Sequence, residues 1–128
     1  MCEDKHMIGI TPSLPIYLYP HPTDMRKSFS GLCGIVINAM NRQPENGHLY
    51  VFINKRRNRM KLLLWDRHGF WLFYKMLETG VFQLPHSGHA DAQAHALAYE
   101  QLVMIIEGIE MTTVKRRKRY CMLTNQTA

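Results

Sequence analysis

Two neighbouring segments, 60–66 and 70–76, constrain the fold most, because each is apolar on both of its faces. Alternate residues of a strand point to opposite sides of a sheet, and large apolar side chains occupy both series in each segment. Arg67-His68-Gly69 lies between them and predicts a three-residue hairpin loop with Gly69 in the left-handed conformation. A sheet that is apolar on both faces has to be covered on both.

The first cover is a helix predicted from the apolar spacing over 25–40. Thr23 has the character of its N-cap, and Asp24 would lie in the first turn, where a carboxylate faces the positive end of the helix dipole. Gly31 and Gly34 each weaken such a helix by about 1 kcal/mol relative to alanine. We interpret them as positions of close approach to the sheet beneath.

Short strands are predicted at 16–19, 49–53 and 81–84, and a second helix at 97–108 with Gly108 as its C-cap. The predicted fold class is α+β: an antiparallel sheet of four to five strands, an N-terminal helix packed on it and a C-terminal helix. The second cover of the sheet is either that C-terminal helix or a partner. The predicted organisation is an N-terminal arm at 1–15, an α+β core domain at 16–85, a His-rich linker at 86–96, the C-terminal helix at 97–108 and a basic C-terminal tail at 109–128.

Composition indicates one globular domain in a reducing compartment. The chain has 128 residues, of which 46% are apolar, enough to bury a core. Its three cysteines are odd in number and widely spaced, which supports neither a disulfide framework nor a cysteine-based zinc site. The sequence has neither a signal peptide pattern nor an apolar run of membrane-spanning length, so we expect a cytoplasmic protein without a membrane partner.

The most concentrated charge lies in the segment 54–61, between two predicted strands. Five of its eight side chains are cationic and none is acidic, which predicts a hairpin with a positively charged tip. Such a ribbon suits the phosphates of a nucleic acid, and the net charge of +6 favours a polyanionic partner. A charge run is equally typical of a solvated loop. The candidate DNA-binding residues are Lys55, Arg56, Arg57, Arg59 and Lys61 in this segment, Arg26, Lys27 and Arg67 as extensions of the patch, and Lys115, Arg116, Arg117, Lys118 and Arg119 in the tail.

Other chemistry is poorly supported, and we predict no catalytic residues, no metal site and no cofactor. His86, His89 and His95 lack the spacing and partner residues of zinc sites. The carboxylates of the core form no motif that suggests shared metal ligation; they are Asp24, Glu45, Asp66 and Glu78. A group of aromatic residues is interpreted as core rather than as a base-stacking platform: Trp65, Phe70, Trp71, Phe73 and Tyr74.

Several motifs occur in an order that resembles a known family. They are Thr23-Asp24-Met25-Arg26-Lys27, the segment 47–52, the segment 56–61, and the segment 65–75 closed by Leu77-Glu78. Together they resemble the TnpB-type accessory proteins, or second-open-reading-frame-like proteins, of the insertion-sequence-sixty-six transposons. The much longer RNA-guided nuclease that shares the name TnpB has carboxylate and zinc motifs that are missing here.

The resemblance implies a role in transposition beside a separate, larger transposase that carries the chemistry. DNA binding is the usual supposition for the family, and Arg56, Arg57, Arg59 and Lys61 match its motif. We therefore expect a non-enzymatic, nucleoid-associated bacterial protein that binds transposon ends or non-specific duplex DNA through a basic hairpin. The alternatives are an adaptor that docks on the transposase without contacting DNA, an RNA-binding protein, and a metal-dependent nuclease that would require Asp66.

Overall fold

A mixed five-stranded sheet organises the protein in a computed structural model that describes residues 10–85 and 94–108. The strand order across the sheet is β4-β3-β2-β1-β5. In chain order the elements are β1 (Ile16–Leu18), α1 (Phe29–Asn38), β2 (Leu49–Ile53), β3 (Arg59–Asp66), β4 (Gly69–Met76), β5 (His95–Leu97) and α2 (Tyr99–Glu107). The α+β class and the count of strands agree with the sequence prediction.

The prediction of a purely antiparallel sheet is wrong at one pair of strands. β1 runs parallel to β2, with Ile16 opposite Leu49, whereas the other three strand pairs are antiparallel. The chain leaves β1, forms α1 and then enters β2, and parallel neighbours require a long crossover of this kind. The strand–helix–strand order was visible in the sequence, but the direction of pairing was not.

The two central strands carry two separate hydrophobic clusters. Along β2, Leu49, Val51 and Ile53 belong to one cluster, and the alternating Tyr50 and Phe52 belong to the other. Since successive residues of a strand point to opposite faces, the clusters lie on opposite sides of the sheet.

Each helix contributes to one of these clusters. Leu102 and Ile105 of α2 join the cluster of Leu49, while Leu32 and Val36 of α1 join the cluster of Tyr50. All five residues of β2 are buried as a result.

The first helix begins later than predicted. α1 starts at Phe29, whereas Thr23 is buried and its backbone N–H donates to the carbonyl of Ile53 at 2.9 Å. Asp24 accepts the backbone N–H of Arg26 through its Oδ1 at 2.9 Å. Asp side chains that bond nearby backbone groups in this way compete with helix formation, so the segment forms a turn beside the sheet.

The loop between β3 and β4 is shorter than predicted. Only Arg67 and His68 separate the strands, and Gly69 is already paired with Asp66 as the first residue of β4. The left-handed residue is Arg67, with φ of 64°, rather than Gly69.

The segments that flank the second helix also differ from prediction. Residues 81–84 form no strand, although Phe82 is buried, and β5 (His95–Leu97) forms where the end of the linker and the start of the helix were predicted. Gly108 adopts the predicted left-handed C-cap of α2, with φ of 81°. No helix within residues 10–85 and 94–108 is long and apolar enough to cross a membrane.

The two glycines of α1 do not approach the sheet as we had interpreted them. A Cβ at Gly31 would lie 3.1 Å from Cβ and 3.2 Å from Cγ of Lys27, and a Cβ at Gly34 would meet nothing within 4 Å. Gly34→Ala should therefore raise the free energy of unfolding by about 0.5–1 kcal/mol, through improved helix propensity, and the melting temperature by a few degrees.

Gly31→Ala is the matched control for this measurement by thermal or urea unfolding. It offers the same gain in propensity but crowds the Lys27 side chain, so its stabilisation should be smaller than that of Gly34→Ala. Equal gains at the two positions would show that the contact with Lys27 imposes no constraint.

Candidate nucleic-acid interface

Asn54 organises the tip of the β2–β3 hairpin. Its backbone N–H donates to the carbonyl of Arg59 at 3.1 Å, and its Oδ1 accepts the backbone N–H groups of Asn58 and Arg59 at 3.0 Å each. Its Nδ2 donates to Oδ1 of Asn58 at 2.8 Å, and its carbonyl accepts the N–H of Arg57 at 3.0 Å. The predicted hairpin is confirmed, and its tip is held together by asparagine and backbone groups.

The segment that follows β4 supports the tip from outside. The N–H of Leu77 donates to the carbonyl of Asn58 at 2.8 Å, and the N–H of Phe82 donates to the carbonyl of Arg57 at 2.7 Å. Phe82 is 1% exposed, so it anchors this segment in the core. Glu78, the residue that follows Leu77, is exposed.

The cationic side chains of the tip take no part in this scaffold. Lys55, Arg56 and Arg57 are exposed, and none forms an ion pair within the part of the chain that the structure describes. Arg57 adopts a left-handed φ of 60°. Arg59, also exposed, has its Nη1 3.5 Å from the hydroxyl of Tyr74. The cationic side chains therefore supply the charge of the tip, whereas asparagine side chains and backbone groups hold the loop in shape.

The turn at 23–27 lies at the same end of the sheet as the tip. The hydrogen bond from Thr23 to Ile53, the last residue of β2, joins the two segments. Lys27 is exposed there.

Arg26 is engaged by a carboxylate of the protein itself. Its Nη2 lies 2.8 Å from Oδ2 of Asp24, and its Nε lies 3.1 Å from both carboxylate oxygens. Hydrogen bonds from Arg26 lower the pKa of the Asp24 carboxyl to about 2, so the pair stays ionised at neutral pH. The structure thus pairs this candidate DNA-binding residue with a carboxylate, and its contact with DNA stays a prediction.

Lys61 also differs from its predicted role as an exposed cation. The residue is 7% exposed, and its Nζ donates to the carbonyl of Lys27 at 2.7 Å. The same ammonium lies 4.9 Å from the centre of the Tyr74 ring. Lys61 therefore ties β3 to the turn before α1.

Arg67 lies at the far end of the hairpin. The eight residues of β3 separate it from the tip, a distance of about 27 Å at the usual rise of a strand. The structure therefore does not bring Arg67 together with Lys55, Arg56 and Arg57. The predicted tail contacts Lys115, Arg116, Arg117, Lys118 and Arg119 lie outside the described residues. We call the exposed cations that the structure does bring together the basic end: Lys27, Lys55, Arg56, Arg57 and Arg59.

A second polar cluster occupies the end of the sheet opposite the tip. The guanidinium carbon of Arg42 lies 3.6 Å from the ring centre of Tyr17, and the ring of His48 lies 5.6 Å from Tyr17 on centres. His48 Nδ1 is buried without a hydrogen-bond partner, and burial together with Arg42 lowers the pKa of its imidazole. Arg42 is thus packed against aromatic rings away from the basic end.

The core carboxylates are not assembled into a site. Asp24 and Asp66 lie at opposite ends of β3, and Asp66 Oδ2 accepts the indole N–H of Trp71 at 3.2 Å. Within residues 10–85 and 94–108, no three histidine, cysteine or acidic side chains are placed to hold a metal ion. His86 and His89 are outside those ranges.

The aromatic residues are less buried than predicted. Trp71 and Tyr74 are 45% and 52% exposed, and Trp65, Phe70 and Phe73 are half-buried. Four of the five belong to β4, which ends the strand order, so among the described residues a strand lies along only one of its edges. Sequence periodicity identifies a strand but not its place in the sheet.

Sequence reasoning also missed the two asparagines that build the tip. Asn54 and Asn58 bracket the cations, and asparagine is a residue that bonds its own local backbone in turns. The two asparagines could have been recognised as turn residues from the sequence, but the segment was interpreted from its cationic residues alone.

Comparison with known proteins identifies relatives along most of the chain. The family model described as IS66 Orf2 like protein matches residues 14–116. The uncharacterized protein y4jC of Sinorhizobium fredii is 33% identical over 111 residues, which cover 87% of this chain and 92% of that protein. The uncharacterized protein y4hO of the same organism is 33% identical over 104 residues, covering 81% of this chain and 88% of its own length. No solved structure matches the chain.

The hydrogen bonds of the tip lead to a test of stability. Asn54→Ala removes two acceptor contacts and one donor contact, whereas Asn58→Ala removes only the side-chain bond to Asn54. We expect urea unfolding to show a loss of about 1–3 kcal/mol for Asn54→Ala and about 0.5–1.5 kcal/mol for Asn58→Ala. A loss at Asn58 as large as that at Asn54 would contradict the central role of Asn54.

Proposed function

Because the chain belongs to the family of IS66 Orf2-like proteins, we propose that it is a non-catalytic accessory factor of insertion-sequence transposition that binds duplex DNA through the basic end. The observation that supports this proposal is that the cationic side chains of the hairpin tip are not the groups that hold its loop in shape. Lys55, Arg56 and Arg57 are exposed and have no carboxylate partner among the described residues, while the loop that presents them is held by other groups.

Phosphate neutralisation supplies the affinity in this proposal. A two-stranded ribbon fits the width of the major groove, and arginine binds phosphate with two parallel hydrogen bonds. If the five cations of the basic end each neutralise one phosphate, the logarithm of affinity falls with the logarithm of salt concentration with a slope near −4.5. Such contacts position the protein without reading sequence, so we expect binding to transposon ends and to random duplexes.

In the cell, DNA binding of this kind would keep the protein in the bacterial cytoplasm, associated with the nucleoid. The transposase of the same element is the second partner that we propose. Its active site would carry the strand chemistry, and the accessory protein would contribute affinity for DNA.

A second candidate function is that of an adaptor which docks on the transposase without contacting DNA. The observation in its favour is the apolar surface of β4, where Trp71, Tyr74 and Met76 are about half exposed. Copurification with the transposase that survives nuclease treatment, together with no measurable binding to duplex DNA, would support the adaptor over the DNA-binding factor.

The two left-handed arginines of the hairpin loops provide a matched test of DNA binding. Arg57 at the tip and Arg67 at the far end have φ of 60° and 64°, and asparagine tolerates that conformation. Arg57→Asn should weaken binding about 3- to 10-fold and reduce the salt slope by about one, because one phosphate contact is lost. Binding is measured by fluorescence anisotropy on a random duplex at several salt concentrations.

Arg67→Asn is the control, since it removes the same charge outside the basic end. It should leave the salt slope unchanged and alter affinity by less than about twofold. Similar losses for the two variants would mean that net charge, rather than the hairpin tip, determines binding.

The pairing of Asp24 with Arg26 predicts a variant with stronger binding. The pKa of Asp24 is about 2, so its charge persists from pH 5 to pH 8 and only substitution removes it. Asp24→Asn keeps an oxygen for the N–H of Arg26 and frees the guanidinium. Affinity for duplex DNA should rise about 2- to 10-fold with a steeper salt slope. An unchanged slope would show that Arg26 does not reach a phosphate.

A further inference from the structure

The outer edge of β4 pairs with no strand among the residues that the structure describes. β4 pairs with β3 through all eight residues, from Arg59 opposite Met76 to Asp66 opposite Gly69. It ends the strand order, and within residues 10–85 and 94–108 no strand lies on its other side. Natural proteins usually guard such an edge with proline, a bulge or an inward-pointing charge. β4 has no proline, its pairing with β3 is continuous, and its one charged residue is Lys75, near the end of the strand.

The phase of the hydrogen bonds identifies which backbone groups face outward. The N–H of Leu77 donates to the carbonyl of Asn58, so that pair is hydrogen-bonded and every second pair along the ladder is as well. The odd-numbered residues of β4 therefore bond to β3. The outward N–H and C=O groups belong to the even-numbered residues Phe70, Leu72, Tyr74 and Met76.

The side chains along this edge are mainly apolar. Trp71, Tyr74 and Met76 are 45%, 52% and 54% exposed, and Lys75 is the only charged residue of the strand. Trp71 and Phe73 lie on one face with their rings stacked 6.0 Å apart, and Tyr74 lies on the other. Open backbone groups flanked by apolar side chains suit a protein strand rather than a phosphate chain.

We propose that β4 pairs antiparallel with β4 of a second copy of this chain, with Phe73 at the two-fold axis. In this register Trp71 lies opposite Lys75 of the second copy, and the contact occurs twice by symmetry. A lysine ammonium against a tryptophan ring is a favourable cation–π pair. On the other face, Leu72 lies opposite Tyr74 of the second copy.

The pairing of Lys75 with Trp71 favours this register over its neighbours. Residues that lie opposite each other in an antiparallel pair point to the same face of the sheet, so the two-fold axis must pass through a residue. The neighbouring registers place this axis at Leu72 or at Tyr74. An axis at Leu72 places Lys75 opposite Gly69, which offers no ring. An axis at Tyr74 places Lys75 opposite Phe73, a poorer cation–π partner than tryptophan, and leaves Trp71 opposite Leu77 beyond the end of β4. The axis at Phe73 gives every side chain of 70–76 an apolar or cation–π partner.

The size of the contact sets the expected affinity. In this register residues 70–76 of the two strands overlap along about 24 Å, which makes an interface at the small end of the range for stable dimers. We therefore expect a micromolar dissociation constant. The basic ends lie at opposite ends of the joined sheet, so the pairing does not require DNA. Added salt screens the repulsion between two copies of net charge +6 and should strengthen the dimer, the reverse of its effect on DNA binding.

Sedimentation equilibrium of the full chain without DNA tests the proposal. At 10–100 micromolar protein, on the order of the expected dissociation constant, the mass should rise from 15.0 kDa towards twice that value, and more so at higher salt. Trp71→Lys places two lysines opposite each other in each symmetric contact and should keep the protein monomeric. The exchange variant Trp71→Lys/Lys75→Trp restores the pairing of lysine with tryptophan and should restore the dimer.

Thermal unfolding is the control that both variants fold. We expect them to fold because residues 71 and 75 are exposed, and the exchange variant also keeps the same composition. Wild-type protein that stays at 15.0 kDa overturns the proposal. In that case, loss of transposase copurification with Trp71→Lys would assign the edge to the transposase. A folded exchange variant that remains monomeric while wild type dimerises overturns the register at Phe73.

Discussion

Burial of β2 and β3 on both faces is the constraint on which the rest of the structure depends. All five residues of β2 are buried, and so are five consecutive residues of β3. Because both faces are apolar, one cluster incorporates residues of α1 and the other incorporates residues of α2. At one end of this sheet the β2–β3 loop presents three exposed cations, Lys55, Arg56 and Arg57.

The structure of the tip does not depend on its cationic side chains. Asn54 and Asn58 close the loop, and Phe82 anchors the segment that supports it from outside. Among the described residues the tip cations Lys55, Arg56 and Arg57 have no carboxylate partner, which is a property that their number alone does not establish. Arg26 and Lys61 illustrate the opposite case, since a carboxylate engages the first and burial with a backbone carbonyl engages the second.

The two edges of the sheet that the structure describes are unequal. β5 is a three-residue strand at one edge, whereas β4 at the other edge is a regular eight-residue strand with exposed aromatic side chains. Short edge strands discourage association and long apolar ones favour it. The proposed DNA contact uses the basic end and the proposed dimer contact uses the edge of β4, so the two proposals rest on different surfaces of the described residues.

Local pattern determined the hairpin pairing of β2, β3 and β4, the existence of two helices, the C-cap at Gly108 and the clustering of cations at one loop, because these depend on residues adjacent in the chain. Only the tertiary structure decided the parallel pairing of β1 with β2, the burial of Lys61, the capture of Arg26, the distance of Arg67 from the tip and the exposure of Trp71. The physical reason is that burial and pairing depend on which distant segments come into contact. The periodicity of a sequence shows which side chains of a strand share a face of the sheet, but not which strands lie beside it.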